Sequence, residues 1–238
     1  MLQLLDMEFV RIKRSKMKYF KYPRTYHLPF SLGTQSDDRL LPSVNHFEGR
    51  EVIVTEKLDG ENTSMYSDHI HARSLDSGHH PSRTIVKTLH GLIGHDIPLG
   101  FRICGENVYA CHSIHYLNLE AHFYVFGIYD DKNNCLSWDE TEEYCKMLGL
   151  ITAPVLYRGI WDEEKVRACW TGISTASPGD PQEGYVVRLA SSFHYDAQDS
   201  ALESSFTAKY VRAKHVQTDA HWLEKPVQPN LLRKSEPN

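Results

Sequence analysis

The chain has 238 residues, 41% of them hydrophobic, and a formal net charge of −5 at pH 7. That length fits one large domain, or one domain with a small appendage, around a core of ordinary apolar content. The acidic balance excludes nucleic-acid binding over the whole surface, so a local basic patch would have to provide any such contact. The apolar runs are far too short to cross a bilayer, and we expect no membrane partner.

Cysteine usage points to a cellular compartment. The five cysteines are an odd number, they are widely spaced, and none belongs to a CxxC pair or follows a signal peptide. A reduced chain inside the cell, in the cytoplasm, is the simplest interpretation.

Basic residues dominate the beginning of the chain. Seven of the residues from 11 to 24 are lysine or arginine. A solvated basic arm and an electrostatic contact with phosphate both explain this composition. We assign residues 1–24 to this basic segment, residues 25–216 to the main domain and residues 217–238 to a C-terminal tail.

Strand-like patterns recur from residue 51 onward. A polar stretch at residues 64–73 predicts a hairpin with its turn near residues 67–68. Runs rich in β-branched and aromatic residues predict further strands. These runs are residues 51–55, 101–110, 122–129, 184–189 and 206–212.

Three helices are predicted between these strands. Residues 83–94 place apolar side chains at helical spacing. A second helix begins at Asp139, with Glu142 in the capping-box position and Gly149 as the terminator, and a third begins after Asp162. The helices interrupt the strands irregularly, which favours an α+β fold with antiparallel sheets flanked by helices over a repeated βαβ sheet.

The run Lys57-Leu58-Asp59-Gly60 follows the first predicted strand. A lysine is a poor nucleophile at neutral pH because its free pKa is about 10.4, and it becomes reactive where burial or nearby positive charge disfavours the ammonium form. A tight turn through Gly60 would hold such a lysine rigidly against a ligand. The alternative is a surface hairpin in which Lys57 pairs with Glu56 or Asp59.

This run resembles motif I of the covalent nucleotidyltransferases, the superfamily of ATP-dependent ligases and mRNA-capping enzymes. In its longer form, residues 56–62, it looks most like the RNA ligase 2 type. Further segments resemble the other motifs of the superfamily, in the same order. They are Ala72-Arg73-Ser74 (motif Ia), Cys104-Gly105-Glu106-Asn107 (motif III), Tyr124-Val125-Phe126-Gly127-Ile128 (the segment after it), Glu183-Gly184-Tyr185-Val186-Val187-Arg188 (motif IV) and Ala208-Lys209-Tyr210-Val211-Arg212 (motif V).

The resemblance implies a role for each of these residues. Lys57 would attack ATP in the presence of Mg²⁺ or Mn²⁺, giving a lysyl-AMP phosphoramidate and pyrophosphate. Glu56 would accept a hydrogen bond from the adenine amino group, and Phe126 would stack on the base. Arg73 would contact the ribose or a phosphate, and Glu106 would hold the ribose hydroxyls.

At the phosphate end, the resemblance implies a metal ligand and further cations. Glu183 would bind the metal, since Mg²⁺ prefers carboxylate oxygens. Lys209 would contact the α-phosphate and help to lower the pKa of Lys57. The second lysine that the family often carries in motif V is replaced here. Arg212 or Lys214 takes that role, or the role is missing.

Two residues of the first motif have less direct roles. Asp59 would orient the lysine loop rather than react. Asn62 matches an asparagine that lies near the RNA ends in RNA ligase 2 types, and a turn residue that caps its own backbone is an equal alternative.

The resemblance implies an ATP-dependent RNA ligase that joins 5′-phosphate and 3′-hydroxyl ends of RNA on an ATP-grasp-like nucleotidyltransferase domain. Too few residues follow Lys214 for a five-stranded barrel, so we expect no C-terminal OB-fold, and a protein partner could supply RNA-binding surface. A guanylyltransferase of the same superfamily is one alternative. An RNA-end-binding module on a degenerate ligase fold is the other, and the retention of Lys57, Glu106, Glu183 and Lys209 argues against it.

Overall fold

Two sheets organise the computed structural model, which describes residues 18–34, 38–195, 206–213 and 226–234. The strands of the first sheet are β1 (Tyr26–His27), β2 (Glu51–Lys57), β9 (Val155–Ile160), β10 (Gly184–Leu189) and β12 (Thr207–Val211). Those of the second are β3 (Glu61–Met65), β4 (Ile70–Ala72), β5 (Arg102–Asn107), β6 (Phe123–Tyr129), β7 (Asn134–Cys135), β8 (Ile151–Thr152) and β11 (Phe193–His194).

Neighbouring strands in these sheets run mostly antiparallel. The first sheet has the order β1-β12-β10-β2-β9, and the second has the order β11-β7-β6-β5-β3-β4 with β8 beside β6. Only the pairs β1–β12 and β6–β8 are parallel among the described strands. The predicted strands and the hairpin are therefore confirmed, with ends that differ by a few residues.

Alternation along the strands gives the first sheet two different faces. In β10, Tyr185 and Val187 point into a hydrophobic core, whereas Val186 and Arg188 line a cavity. β12 follows the same rule, since Ala208 lies in that core and Lys209 lines the cavity. The period of two along a strand thus separates the residues that stabilise the sheet from those that face a ligand.

Within the described residues, three α-helices pack against the sheets. They are α1 (Thr84–Ile93), α2 (Trp138–Leu148) and α3 (Glu163–Ala168). Val86 of α1 and Cys145 of α2 pack in one core with Ile103 of the second sheet, and Val166 of α3 packs beneath the first sheet. The predicted α+β class with antiparallel sheets and flanking helices is confirmed.

The cap of α2 differs from its prediction. Ser137, not Asp139, is the N-cap, and Glu140 rather than Glu142 completes the capping box. Glu142 instead accepts a hydrogen bond from the indole of Trp138 at 2.8 Å. The predicted terminator is correct, because Gly149 adopts the left-handed conformation with φ of 65°.

Segments near both ends of the chain pack against the main domain. The Tyr22 ring lies edge-on to Phe126, with centroids 5.2 Å apart, and residues 22–25 line the cavity. Residues 226–234, within the segment expected to be a tail, run beside residues 108–122. In the described part of the chain, no helix is long and apolar enough to span a membrane.

Candidate active site

A cavity of about 400 Å³ lies between the two sheets. Six basic and three acidic side chains of the described residues line it, so a chain of negative net charge has a locally positive site. Most of the site residues predicted from the sequence line this one cavity. They are Glu56, Lys57, Asn62, Arg73, Glu106, Phe126 and Lys209.

The loop after β2 holds Lys57 in a fixed position. Asp59 is buried, and its Oδ2 accepts hydrogen bonds from the backbone N–H groups of Ser113 at 2.8 Å and Ile114 at 2.7 Å. Burial alone would raise the pKa of Asp59, but the hydrogen bond from the Ser113 hydroxyl and the charge of Lys57 lower it below its ordinary value. A side chain at Gly60 would overlap the carbonyl oxygen of Asn107, so only glycine fits there.

Lys57 and Glu183 form a direct ion pair. The Lys57 Nζ lies 2.6 Å from both carboxylate oxygens of Glu183, which is 2% exposed. Burial lowers the pKa of Lys57, but the charges of Glu183 and Glu106 outweigh it, and the net shift is upward. The expected depression of this pKa is therefore not found, because the carboxylates of Glu183 and Glu106 outweigh burial.

Two carboxyl groups near Lys57 have raised pKa values. Burial raises the pKa of Glu183 to about 7 against the opposing charge of Lys57. Burial also raises the pKa of Glu106 to about 8, and the charge of Glu183 adds to this shift. A cation bound beside these two carboxyl groups would therefore favour their ionised forms and lower their pKa values.

Glu56 has one bonded and one unbonded carboxylate oxygen. Its Oε2 accepts hydrogen bonds from the backbone N–H groups of Thr175 at 2.8 Å and Ala176 at 2.9 Å. Its Oε1 is buried and has no hydrogen-bond partner among the described residues. Burial raises the pKa of Glu56, and the Ser174 hydroxyl and the two backbone bonds oppose that shift. A buried acceptor without a donor is costly, so this oxygen suits a ligand that donates.

Phe126 and Arg73 approach the cavity from the second sheet. The Phe126 ring is half-buried, and Tyr22 packs against its edge. Burial lowers the pKa of Arg73, and the nearby Arg24 charge lowers it further. The Arg73 Nε is buried and has no hydrogen-bond partner among the described residues.

Lys209 has an acidic neighbour that the sequence did not reveal. Its Nζ lies 3.6 Å from Asp38, which also lies 3.2 Å from the Nε2 of the buried His27. Burial lowers the pKa of Lys209, although Asp38 opposes the shift. The parallel pair β1–β12, which sets His27 beside Lys209, brings these groups together.

The position of Asn62 excludes one of its two predicted roles, that of a turn residue. Asn62 lies in β3 opposite Glu106 of β5, so it is a strand residue and not a turn residue. Its Oδ1 is buried without a partner among the described residues. Asn62 therefore presents a polar atom to the cavity.

The candidates for the second cation of motif V are Arg212 and Lys214. Arg212 follows β12, and its backbone N–H donates to the carbonyl of Glu183 at 3.1 Å, but its side chain does not line the cavity. Lys214 lies outside the described residues. Arg24 and Arg39, which belong to none of the predicted motifs, do line the cavity. Their only signal in the sequence was the basic composition around Arg24.

The donor set fits a divalent cation only with help from a ligand. No group of three or more histidine, cysteine, aspartate or glutamate side chains among the described residues is arranged to hold a metal. Glu183 is buried and Glu106 is half-buried, and their carboxylates lie close enough to interact. Mg²⁺ is usually bound by one or two carboxylates, phosphate oxygens and waters, and this pair matches that requirement.

A comparison with protein-family models matches residues 50–211 to the RNA ligase family. The chain belongs to this family. The match covers more than half of the chain and includes every motif except the last residue of motif V, Arg212, so the resemblance read from the sequence is confirmed at the family level. No curated protein matches the sequence.

Solved structures show the same fold. Naegleria gruberi RNA ligase with PPi has a TM-score of 0.52 and 23% sequence identity, and the match covers 80% of this chain and 57% of that one. A ligand-free variant of the same ligase has a TM-score of 0.50 and 20% identity, with 80% and 56% covered. This chain thus matches little more than half the length of these ligases.

Proposed function

We propose that this RNA ligase family member is an ATP-dependent ligase that joins an RNA 5′-phosphate to a 3′-hydroxyl. The proposal rests on one observation: a single cavity contains a group suited to attack a nucleotide phosphate and a group suited to bind a base. Lys57 supplies an amine that can attack phosphorus, and Glu56 Oε1 supplies a buried acceptor for a base. Family membership supplies the reaction class.

In the first step Lys57 becomes adenylated. Its Nζ forms a bond to the α-phosphorus of ATP, and the bond from that phosphorus to pyrophosphate breaks. The amine must first lose a proton, and the oxygens of Glu183 at 2.6 Å are close enough to accept it. The solved Naegleria gruberi ligase holds PPi, the group that this step would release.

Base and ribose are recognised by residues of both sheets. Glu56 Oε1 accepts a hydrogen bond from the adenine amino group, whereas guanine would place a carbonyl oxygen against it. Phe126 stacks on the base, and its ring is held by Tyr22. Arg73 contacts the ribose or a phosphate, and Glu106 holds the ribose hydroxyls.

The phosphates meet a cluster of positive charge. Lys209 contacts the α-phosphate, and Arg24 and Arg39, which line the same cavity, are the proposed contacts for the β- and γ-phosphates. Glu183, with Glu106 beside it, is the proposed ligand for Mg²⁺ or Mn²⁺. Such a cation would supply positive charge that neutralises the phosphates and weakens the hold of Glu183 on the ammonium group.

The later steps use the same cavity. The 5′-phosphate of an RNA displaces Lys57 from AMP, which gives an adenylylated RNA end. The 3′-hydroxyl of a second end then attacks the 5′-phosphorus and releases AMP. Asn62, with its unpartnered Oδ1, is the proposed contact with these ends.

The surroundings of the reaction are also proposals. All five cysteines are free thiols, which fits a reducing, cytoplasmic compartment. A protein partner that supplies more RNA-binding surface would bring the ends to the cavity.

A joining assay tests the proposal. The protein is incubated with Mg²⁺, ATP or GTP, and RNA ends that carry either a 5′-phosphate or a 5′-hydroxyl. We expect adenylylated and joined RNA with ATP and the 5′-phosphate only. Covalent GMP transfer from GTP would indicate a guanylyltransferase, and RNA binding without any nucleotide transfer would indicate a degenerate binding module.

A further inference from the structure

Residues 226–234 lie outside the segment that matches the family. They nevertheless contact residues 108–122, the segment whose turn at residues 113–116 binds Asp59 of the Lys57 loop. The Leu231 N–H donates to the carbonyl of Tyr116 at 2.9 Å, and the Leu119 N–H donates to the carbonyl of Leu231 at 3.0 Å. Farther along the segment, Arg233 forms an exposed ion pair with Glu120 at 2.7 Å. This segment is therefore joined to residues 108–122 by backbone hydrogen bonds and two isolated β-bridges.

Asn230 is the centre of this contact. It is 2% exposed, its Nδ2 donates to the carbonyl of Val108 at 2.8 Å, and its Oδ1 accepts from the Tyr116 N–H at 2.9 Å. Its backbone N–H donates to the carbonyl of Tyr109 at 2.8 Å, and its carbonyl lies 3.1 Å from His122 Nε2. Removal of such a side chain would leave buried polar groups of the loop unpaired.

A short chain of contacts leads from Asn230 to Lys57. Tyr116 is fully buried, and its hydroxyl accepts the Asp59 N–H at 3.1 Å. The Asp59 side chain in turn binds the N–H groups of Ser113 and Ile114, in the same loop as Tyr116. The backbone of the Lys57 loop thus rests on a turn that Asn230 holds from the other side.

We infer that Asn230 is a positioning residue for the nucleophile, because it fixes the turn at residues 113–116 on which the backbone of the Lys57 loop rests. The inference rests on the proposed function only in naming Lys57 as the nucleophile. Displacement of an attacking group by about 1 Å can slow a reaction as much as 100-fold. The predicted ATP contacts of Phe126 and Arg73 lie on other segments.

Four variants test this role. Asn230→Ala removes the centre of the contact, and Tyr116→Phe removes only the hydroxyl that accepts the Asp59 N–H. Arg233→Ala removes the exposed ion pair of the same segment and is the matched control. Val166→Ala opens a cavity in the core beneath the other sheet and controls for general loss of stability.

The first measurement is the single-turnover rate of lysyl-AMP formation at saturating ATP, together with the ATP dissociation constant. We expect Asn230→Ala and Tyr116→Phe to slow adenylation about tenfold or more, with ATP binding within about twofold of the wild type. Arg233→Ala and Val166→Ala should keep the wild-type rate at temperatures where each is folded. Equal rates in all variants, or a rate that follows the melting temperature alone, would overturn the inference.

Hydrogen exchange separates this inference from the proposed function. If the wild type forms no lysyl-AMP, the proposed function fails, but the amides of Asp59, Ser113 and Ile114 still report on the loop. Faster exchange of these amides in Asn230→Ala, but not in Arg233→Ala or Val166→Ala, supports the positioning role. Unchanged exchange contradicts it. If Asn230→Ala does not fold, Asn230→Ser carries the same test, and Tyr116→Phe tests the bond from the Asp59 N–H to Tyr116 separately.

Discussion

The Nζ of Lys57 lies 2.6 Å from both carboxylate oxygens of Glu183, so the amine at the end of β2 is paired with the residue that precedes β10. The two strands are neighbours, and Gly184 stands opposite Lys57 in their register. A side chain at Gly184 would overlap the carbonyl of Tyr210, which explains why glycine follows Glu183. The ion pair favours the protonated form of the Lys57 amine.

The first prediction concerns the pH dependence of adenylation. The pKa of Lys57 is raised because Glu183 and Glu106 outweigh the effect of burial, so the neutral amine is scarce at neutral pH. The single-turnover rate should therefore rise with pH, by roughly tenfold per unit below the pKa of the reacting complex. A rate that is flat or falls between pH 5.5 and 7 would contradict this assignment.

Nucleotide choice should change in Glu56→Gln. If the amide oxygen takes over the bonds from Thr175 and Ala176, the amide NH₂ group faces the base and donates instead of accepting. ATP would then bind about 10- to 100-fold more weakly, and GTP would bind more tightly. Competition binding of the two nucleotides measures the change. The variant fails the prediction if it keeps the wild-type preference for ATP.

Much of the candidate site could be predicted from local sequence, because the proposed site residues lie in or beside alternating apolar strands. Lys209 stands between Ala208 and Tyr210, which enter the core, so the pattern places it on the opposite face. The role proposed for Lys57 was visible only in the resemblance of its run to motif I together with the motifs that follow it in order. The ionisation of Lys57 could not be predicted from local sequence, because it depends on contact with Glu183, 126 residues away.

Other features had no local signal. Asp38 and Asn230 belong to no motif, and only tertiary packing brings them to Lys209 and Tyr116. The cap of α2 was wrong by two residues because serine and aspartate cap equally well. The Trp138 indole, next to the observed cap, is buried, and a local pattern does not show which side chain will be buried.

Asp59→Asn tests the anchor of the lysine loop. The amide keeps the shape of the carboxylate but loses the charge that strengthens the hydrogen bonds from Ser113 and Ile114. We expect a loss of about 1–2 kcal/mol in the free energy of unfolding. Urea denaturation measures the loss, and adenylation should slow in parallel. Unchanged stability would show that the Asp59 charge does not hold the loop.

Glu106→Gln should separate stability from activity. In the folded protein Glu106 keeps its proton up to about pH 8, whereas in the unfolded chain it loses the proton near its ordinary pKa of 4.5. Because its folded pKa is raised, the fold loses stability as pH rises from 4.5 through 8. The glutamine variant should therefore be more stable than the wild type above pH 8, by about 1–3 kcal/mol, and nearly inactive. Equal melting temperatures of the wild type at pH 5 and pH 9 would contradict this prediction.

Arg24→Ala tests the cavity wall outside the family motifs. If Arg24 meets the β- or γ-phosphate, KM for ATP should rise about tenfold while joining of chemically adenylylated RNA keeps its rate. Arg158→Ala is the control. It removes an exposed arginine of β9 that pairs with Glu51 and Asp139. A slower reaction of adenylylated RNA, with ATP kinetics unchanged, would assign Arg24 to the RNA instead.

The central claim is that Lys57 carries AMP, and covalent labelling tests it most directly. Wild-type protein and Lys57→Ala are incubated with α-labelled ATP and Mg²⁺, and mass spectrometry of their peptides locates the adduct. We predict one AMP on Lys57 in the wild type, removed by added pyrophosphate, and no label in the variant. Label that persists in Lys57→Ala, or a folded wild type that takes up none, would contradict the claim.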